Sequence, residues 1–387
     1  MKLAFSLIAT AIAACLATAS PTSHARVGQD DVAALLLRHD YATLERSLSA
    51  VQQEFEAGQL TELELKRAFE PFAALADAQA LQAVREWVAQ SPDSYVAHLA
   101  LGLSYRVQGS DARGRKYWED TTPEQRKGML QNFALAEPEL RRSITLTAKP
   151  YLSLLNLMSI AANMGNRPVL NATLVMANEA LPDNRAARLQ YARYLLPRWS
   201  GSSYDKLDAF VAQSRAQGVA EGTLLQIQAI ELNDRGQVLS AEHHGTRARE
   251  FFRQALQLAR QAGDIKGFRA SYLASAIKHV CKEDGTDRDE PICQAAQGDA
   301  PAATTKPLTS AGNPGQDMAH AVVMPAVDHF EGVRTEYAWL ALRHPGATRT
   351  SQALLPQDGR VYDLLSVTTT DSHELKLYFD ITAFAAP

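Results

Sequence analysis

The chain has few cysteines and no surplus of basic residues. Three of its 387 residues are cysteines, and its formal net charge is −4 at pH 7 with histidine neutral. Nucleic-acid binding depends on lysine and arginine side chains that neutralise phosphates, so this charge balance disfavours a nucleic-acid partner. Hydrophobic residues make up 46% of the chain and charged residues 21%, which are ordinary proportions for a globular protein.

The sequence also lacks the short motifs that commonly accompany catalysis. It contains no Walker-type phosphate loop and no GxGxxG, HExxH, GxSxG or CxxC pattern. We therefore predict a protein that is not an enzyme and that holds neither a metal ion nor an organic cofactor. The alternative is a hydrolase with its active site in the C-terminal region, where Asp363, His373 and Asp380 could supply acid–base groups.

The first 25 residues have the pattern of a secretory signal peptide. Lys2 forms a short positive region, Leu3 to Ala14 is apolar, and a small-x-small cleavage site ends at Ala25. The pattern predicts export to the periplasm of a bacterium, or secretion. In the alternative interpretation, the residues ending at Cys15 resemble a lipobox, and Cys15 would carry a lipid anchor. The apolar run is shorter than the ~20 residues that span a bilayer, so we predict no membrane span.

The other two cysteines, Cys281 and Cys293, lie close together in the sequence. In an oxidising compartment an even pair is expected to form a disulfide, and without a CxxC spacing we predict a structural one. Five acidic residues lie between Glu283 and Glu290. They could bind calcium, but the EF-hand spacing and its central glycine are absent, which favours a solvated acidic loop.

A helical pattern runs almost without interruption from Gln29 to about Lys282. Apolar residues recur at steps of three and four, as in Leu44, Leu48 and Val51, and the breaks between such stretches are short. Short connections require neighbouring helices to run antiparallel, so the pattern predicts helical hairpins.

Internal repetition indicates how these hairpins are arranged. Pro92 and Pro182 each begin a P-D-x-x-x-A-x-L stretch, in which the proline and aspartate end one helix and start the next. The spacing of Leu101, Gly102 and Tyr105 resembles the first helix of a tetratricopeptide repeat. We predict a mainly α protein in which residues 26–294 form an α-solenoid of tetratricopeptide-like hairpins. The concave face of such an array usually binds a protein or peptide.

The composition changes after this region. Residues 295–316 are rich in alanine, proline, threonine, glycine and serine, which predicts a flexible linker. Residues 317–387 predict a small α+β module consisting of a helix and a β-hairpin or meander. Its predicted elements are a helix from Asp328 to His344, strands at Arg349–Leu355 and Arg360–Val367, and a last strand in which Leu375, Leu377, Phe379 and Ile381 alternate with polar residues.

The most distinctive local segment joins two predicted helices through Pro-Arg-Trp and Gly-Ser-Ser-Tyr. Arg198, Trp199 and Tyr204 are candidate binding residues, because tryptophan and arginine are common anchors at interfaces. The favoured alternative gives them a structural role, with the indole buried and the guanidinium bonded to helix carbonyls. His98 and Tyr105, in the repeat-like stretch, complete the set of candidate binding residues.

Two resemblances add to this interpretation. Residues 94–102, 112–114 and 198–202 resemble an uncharacterised family of bacterial helical-repeat proteins that carry a domain of unknown function and often a signal peptide. That resemblance implies the fold and no activity. The ending from Leu377 to Phe384 resembles a C-terminal tail of bacterial exported or antagonism-related proteins.

We therefore expect an exported, non-enzymatic helical-repeat protein. It would act as a protein- or peptide-binding or scaffolding module in the bacterial envelope. The resemblance of the tail gives a further alternative, which is an immunity or effector-associated envelope protein.

Overall fold

A computed structural model describes residues 29–74, 78–114, 118–200, 203–263, 272–282 and 314–385 of the chain. The predicted signal segment with Cys15, the acidic loop, Cys293 and most of the predicted linker lie outside these ranges. The described part of the chain is mainly helical, as predicted, and has a four-stranded sheet near its C-terminus, where a β-hairpin or meander was expected. Within the described ranges, no helix combines the length and the apolar character needed to cross a membrane.

From Gln29 to Gln261 the helices follow one another through short connections. They are α1 (Gln29–Leu37), α2 (Tyr41–Glu56), α3 (Glu62–Ala73), α4 (Ala78–Gln90), α5 (Tyr95–Arg113), α6 (Pro123–Ile144), α7 (Tyr151–Asn163), α8 (Arg167–Ala180), α9 (Ala186–Leu195), α10 (Pro197–Ser200), α11 (Asp205–Ala216), α12 (Glu221–Ala241), α13 (Gly245–Gln261), α14 (Ala274–Ile277) and, beyond a π-helix at Lys278–Lys282 and a 3₁₀ turn at Met318–His320, α15 (His329–Arg343). The apolar stripe predicted for α2 is buried, with Leu44, Leu48 and Val51 all in the core.

Consecutive helices pack against each other, most extensively α5 on α6 and α12 on α13. Glycine permits both close approaches. A Cβ atom on Gly102 of α5 would lie 2.7 Å from Cγ of Leu140, and one on Gly236 of α12 would lie 2.6 Å from the ring of Phe252. Any larger residue at either position would force the two helices apart.

One buried carboxylate connects three helices of the array. Glu62, at the first residue of α3, accepts the backbone N–H groups of Arg185 at 3.3 Å and Ala186 at 3.1 Å, where α9 begins. The hydroxyl of Tyr151 in α7 donates to the same carboxylate at 2.5 Å. Because α9 has no side-chain cap of its own, Glu62 supplies the acceptor that its first N–H groups require.

Two further helices without a side-chain cap of their own are capped from a distance. The Asp183 carboxylate accepts the N–H of Ala220 at 3.4 Å, immediately before α12. Asn233 Oδ1 accepts the N–H of Ala276 at 3.0 Å in α14. The starting points of α9, α12 and α14 are thus set by side chains from other parts of the chain.

The C-terminal sheet has the strand order β1-β4-β3-β2. Its strands are β1 (Val322–Val323), β2 (Thr348–Gln357), β3 (Arg360–Thr368) and β4 (Glu374–Asp380). The three long strands are antiparallel neighbours and confirm the predicted strands, and a turn at Asp358 and Gly359 joins β2 to β3. The parallel strand β1 was not predicted, because two residues carry no alternation to detect.

The sheet docks on the helical array through α15. Asp328 caps this helix by accepting the N–H of Glu331 at 2.9 Å, which confirms the predicted start. The buried Trp339 packs edge-on against Phe379 of β4, with ring centroids 5.4 Å apart. Its indole N–H donates to Glu179 of α8 at 2.8 Å. One side chain thereby joins the sheet to the array.

Substituting Glu62 with alanine should destabilise the protein by about 3 kcal/mol, because the change leaves buried N–H groups at the start of α9 without an acceptor. Lys66→Ala on the exposed face of the same helix is the control, with an expected effect within about 0.5 kcal/mol. Urea unfolding followed by circular dichroism measures both. Equal effects of the two substitutions would refute the capping role.

Cys281 is disulfide-bonded. Its predicted partner Cys293 lies outside the described residues, so that pairing remains a prediction. Replacing both cysteines with serine should remove about 3 kcal/mol of loop-closure stabilisation and lower Tm by several degrees. Thiol titration of unreduced mature protein should find neither cysteine free, and two titratable thiols would contradict the bond.

Candidate functional site

A cavity of about 320 Å³ lies beside the segment that the sequence singled out. The ends of α9 and α10 form one wall, and α12 and the start of α14 form the other. Its described lining residues are Arg193, Leu196, Arg198, Trp199, Ile230, Asn233, Asp234, Gln237, Tyr272, Ala274 and Ser275. This volume is at the small end of the range of about 300–1,000 Å³ that is typical of ligand pockets.

Asp234 is the centre of a polar network at this site. The side chain is fully buried and its Oδ1 accepts a hydrogen bond from Arg198 Nε at 2.5 Å. The Tyr204 hydroxyl donates to Oδ2 at 2.9 Å, and the Arg235 guanidinium lies 3.9 Å from the centroid of the tyrosine ring. Burial, followed by the charge of Asp234, raises the pKa of Tyr204, so the hydroxyl remains a donor. The network holds α10 and α11 against α12.

Trp199 and Arg193 form an exposed shelf on the same cavity. The Trp199 side chain is 40% exposed, so the expectation of a buried indole was wrong. The Arg198 guanidinium bonds to the Asp234 carboxylate, whereas bonds to helix carbonyls were expected. Arg193 stacks on the indole at 5.2 Å from the ring centroid. No carboxylate of the described residues lies within ion-pair distance of Arg193, so the shelf carries a net positive charge.

The opposite wall supplies amide and phenol groups. Because Asn233 Oδ1 accepts the N–H of Ala276, its amide NH₂ group is the donor that remains for the cavity. Gln237 lies one helical turn further along α12, and Tyr272 completes the wall. Burial raises the pKa of Tyr272 to about 12, and the nearby charge of Arg193 opposes that rise. The amide groups of Asn233 and Gln237 can donate hydrogen bonds to an anionic ligand.

The structure brings three of the five candidate binding residues together and leaves His98 and Tyr105 elsewhere. His98 is 8% exposed, with Nδ1 2.6 Å from Glu139 Oε2 and Nε2 3.0 Å from the carbonyl of Pro92. Burial lowers its pKa, but the hydrogen bonds to Glu139 and Pro92 outweigh that effect and the pKa is raised. Tyr105 accepts a hydrogen bond from Arg85 at 2.6 Å. Both side chains serve helix packing around α5.

Sequence reasoning missed Asp234 and Arg193. The signal for Asp234 was available, because Ile227, Ile230 and Asp234 follow the spacing of one helix face and the first two are buried core residues. An acidic residue on such a face requires a cation or donors. The role of Arg193 had no local signal, since it depends on the position of Trp199.

The alternative active site in the C-terminal module is not assembled. In the antiparallel register Asp363 lies opposite Phe379, whereas Asp380 lies opposite Tyr362. Because side chains alternate between the faces of a sheet, the two aspartates lie on opposite faces. His373 is exposed and pairs with Asp371 at 2.8 Å. Asp363 and Asp380 therefore do not form the carboxylate pair that acid–base catalysis in this alternative would need.

Asp363 instead faces Glu336 of α15, and both side chains are buried. Within the described part of the chain, no N–H or O–H group donates to either oxygen of Glu336, so the two carboxyls can bond only through a proton on one of them. Burial, followed by the negative charge of Asp363, raises the pKa of Glu336 to about 9. Neither residue lines the cavity, and the pair has the character of a protonated structural contact.

This pair predicts a pH dependence of stability. Because the pKa of Glu336 is raised in the folded state, its protonated side chain stabilises the fold fully below about pH 4.5, its ordinary pKa. This contribution decreases as the pH rises and is lost by about pH 9. The slope from one such group is about −1.4 kcal/mol per pH unit. Glu336→Gln should remove this slope and be more stable than wild type at pH 8.

Urea unfolding at several pH values between pH 5 and pH 9 measures the effect. Glu374→Gln, on the exposed end of β4, is the matched control and should keep the wild-type slope. An unchanged slope in Glu336→Gln would show that the pair does not hold a proton.

No protein-family model, no curated protein and no solved structure matches the chain. What the site does is therefore argued from its geometry.

Proposed function

We propose that the protein is an exported, non-enzymatic α-solenoid of tetratricopeptide-like hairpins that binds a peptide or protein segment in the bacterial envelope. The pairing of consecutive helices, α5 with α6, α7 with α8 and α12 with α13, supports the repeat arrangement. The secretory pattern of residues 1–25 supports the location.

The observation that carries this proposal is the exposed indole of Trp199 on the rim of a cavity of about 320 Å³. A large aromatic surface costs free energy when it faces water, and tryptophan beside arginine is a common anchor at interfaces. The rigid network of Arg198, Tyr204 and Asp234 behind it keeps the wall in place. A preformed wall reduces the entropy that a ligand would lose on binding.

The chemistry of the lining favours binding over catalysis. Asp234 is the one carboxylate among the described lining residues, and Arg198 and Tyr204 occupy both of its oxygens. A general base must reach the proton of its substrate, and this carboxylate is fully buried and already bonded to a guanidinium and a phenol. The other polar groups are cations, amides and hydroxyls that suit recognition.

Trp199→Ala should weaken peptide binding by at least about tenfold, as expected for the loss of an aromatic anchor. The measurement is affinity selection from a synthetic pool of random octapeptides with free carboxyl termini, with enriched peptides identified by mass spectrometry. Isothermal titration of the enriched peptides then gives Kd for each variant.

The matched control is Trp118→Ala. Trp118 is 47% exposed and also stacks with an arginine, Arg126, at 4.5 Å, but it lies outside the cavity. The control should bind the enriched peptides like wild type. If wild type enriches no peptide, or if both tryptophan variants lose binding equally, the proposed site is wrong.

A further inference from the structure

The geometry points to a specific ligand for this cavity, which is the C-terminal residue of a peptide, bound through its free α-carboxylate. This inference rests on the proposed function and deepens it. Arg193 and the amide of Asn233 are the groups that would hold the carboxylate.

Charge is the first argument. Among its described residues, the lining of the cavity holds two guanidinium groups and one carboxylate. Arg198 is bonded to Asp234, so its charge is balanced within the wall. Arg193 is exposed, and it has a π contact with Trp199 but no ion-pair partner in the described part of the chain. The excess positive charge is complementary to an anion, and guanidinium binds carboxylate through paired N–H donors.

The orientation of Asn233 is the second argument. The residue is 4% exposed. The N–H of Ala276 donates to its Oδ1, so the oxygen is distinguished from the nitrogen and is already engaged within the fold. The NH₂ group is then the part of this amide that a ligand can use. An NH₂ donor and a guanidinium on facing walls of one cavity suit an acceptor with two oxygens.

The size of the cavity and the apolar part of its lining favour the end of a peptide over an internal peptide segment as the ligand. A volume of about 320 Å³ is small among ligand sites and suits one terminal residue better than several consecutive ones. Leu196, Ile230 and Ala274 provide an apolar surface for its side chain. Capture of a terminal carboxylate by fixed N–H donors is a known mode of peptide recognition.

Two pools of random octapeptides that differ only at the C-terminus test this inference. One pool carries free carboxylates and the other carries C-terminal amides. Wild-type protein should enrich the acid pool at least tenfold over the amide pool. Arg193→Gln should reduce that preference to near unity, because it keeps a hydrogen-bonding side chain and removes the charge. Arg193→Lys should retain part of the preference.

Arg126→Gln is the matched control, since Arg126 also stacks on an exposed tryptophan, at a different place on the surface. It should keep the full preference for the acid pool, and circular dichroism should show all variants folded. If wild type enriches both pools equally and Trp199→Ala loses this binding, recognition of the chain end is overturned. The proposal that the cavity binds peptides would then still stand.

Enrichment of aspartate- or glutamate-containing peptides from the amide pool would assign the carboxylate to an internal side chain and would also overturn the inference. Failure of wild type to enrich either pool would instead contradict the proposed function itself.

Discussion

The fold of this protein depends on acceptors that reach across the chain to helix ends that lack their own caps. The first N–H groups of a helix need acceptors, and α9, α12 and α14 do not provide them from local side chains. Glu62, Asp183 and Asn233 supply them. The same three helices form walls of the cavity. The shape of the cavity is therefore set by polar contacts made outside it or at its edge.

Buried acids in this molecule have two different environments, and the difference explains the charge of each region. Asp234 is bonded to a guanidinium and a phenol, so the cavity wall behind Trp199 is neutral. Glu336 meets another carboxyl and no cation, so burial raises its pKa and it keeps a proton. Because the charges of Arg198 and Asp234 cancel, Arg193 is the dominant charge at the cavity. The protonated Glu336 carries no charge, so the pair attracts ligands no more than Asp363 alone would.

The sheet and the helical array share a core through α15. Trp339 contacts Phe379 of the sheet with its ring and Glu179 of the array with its N–H group. Asn171 of α8 donates to Glu331 at 2.8 Å and accepts the Tyr191 hydroxyl at 2.8 Å. Gln213 of α11 donates to the carbonyl of Met324 at 2.7 Å. Together, these hydrogen bonds and the ring contact make the relative position of the two parts specific.

The sequence by itself determined the features that depend on local periodicity and capping. The three- and four-residue spacing of α2, the cap at Asp328 and the alternation of Leu375, Leu377 and Phe379 all predict elements that the structure contains. These signals are local, because one face of a helix or strand must be apolar to be buried.

Only the tertiary structure decided which side chains meet. The contacts of Arg198 with Asp234 and of Asp363 with Glu336 join residues 36 and 27 positions apart, and no local pattern encodes such partners. The faces of Asp363 and Asp380 follow from strand register, which a shift of one residue would reverse. The cavity likewise depends on distant acceptors that fix the starts of its helices. Those contacts form only when the chain folds, so no local sequence pattern reveals them.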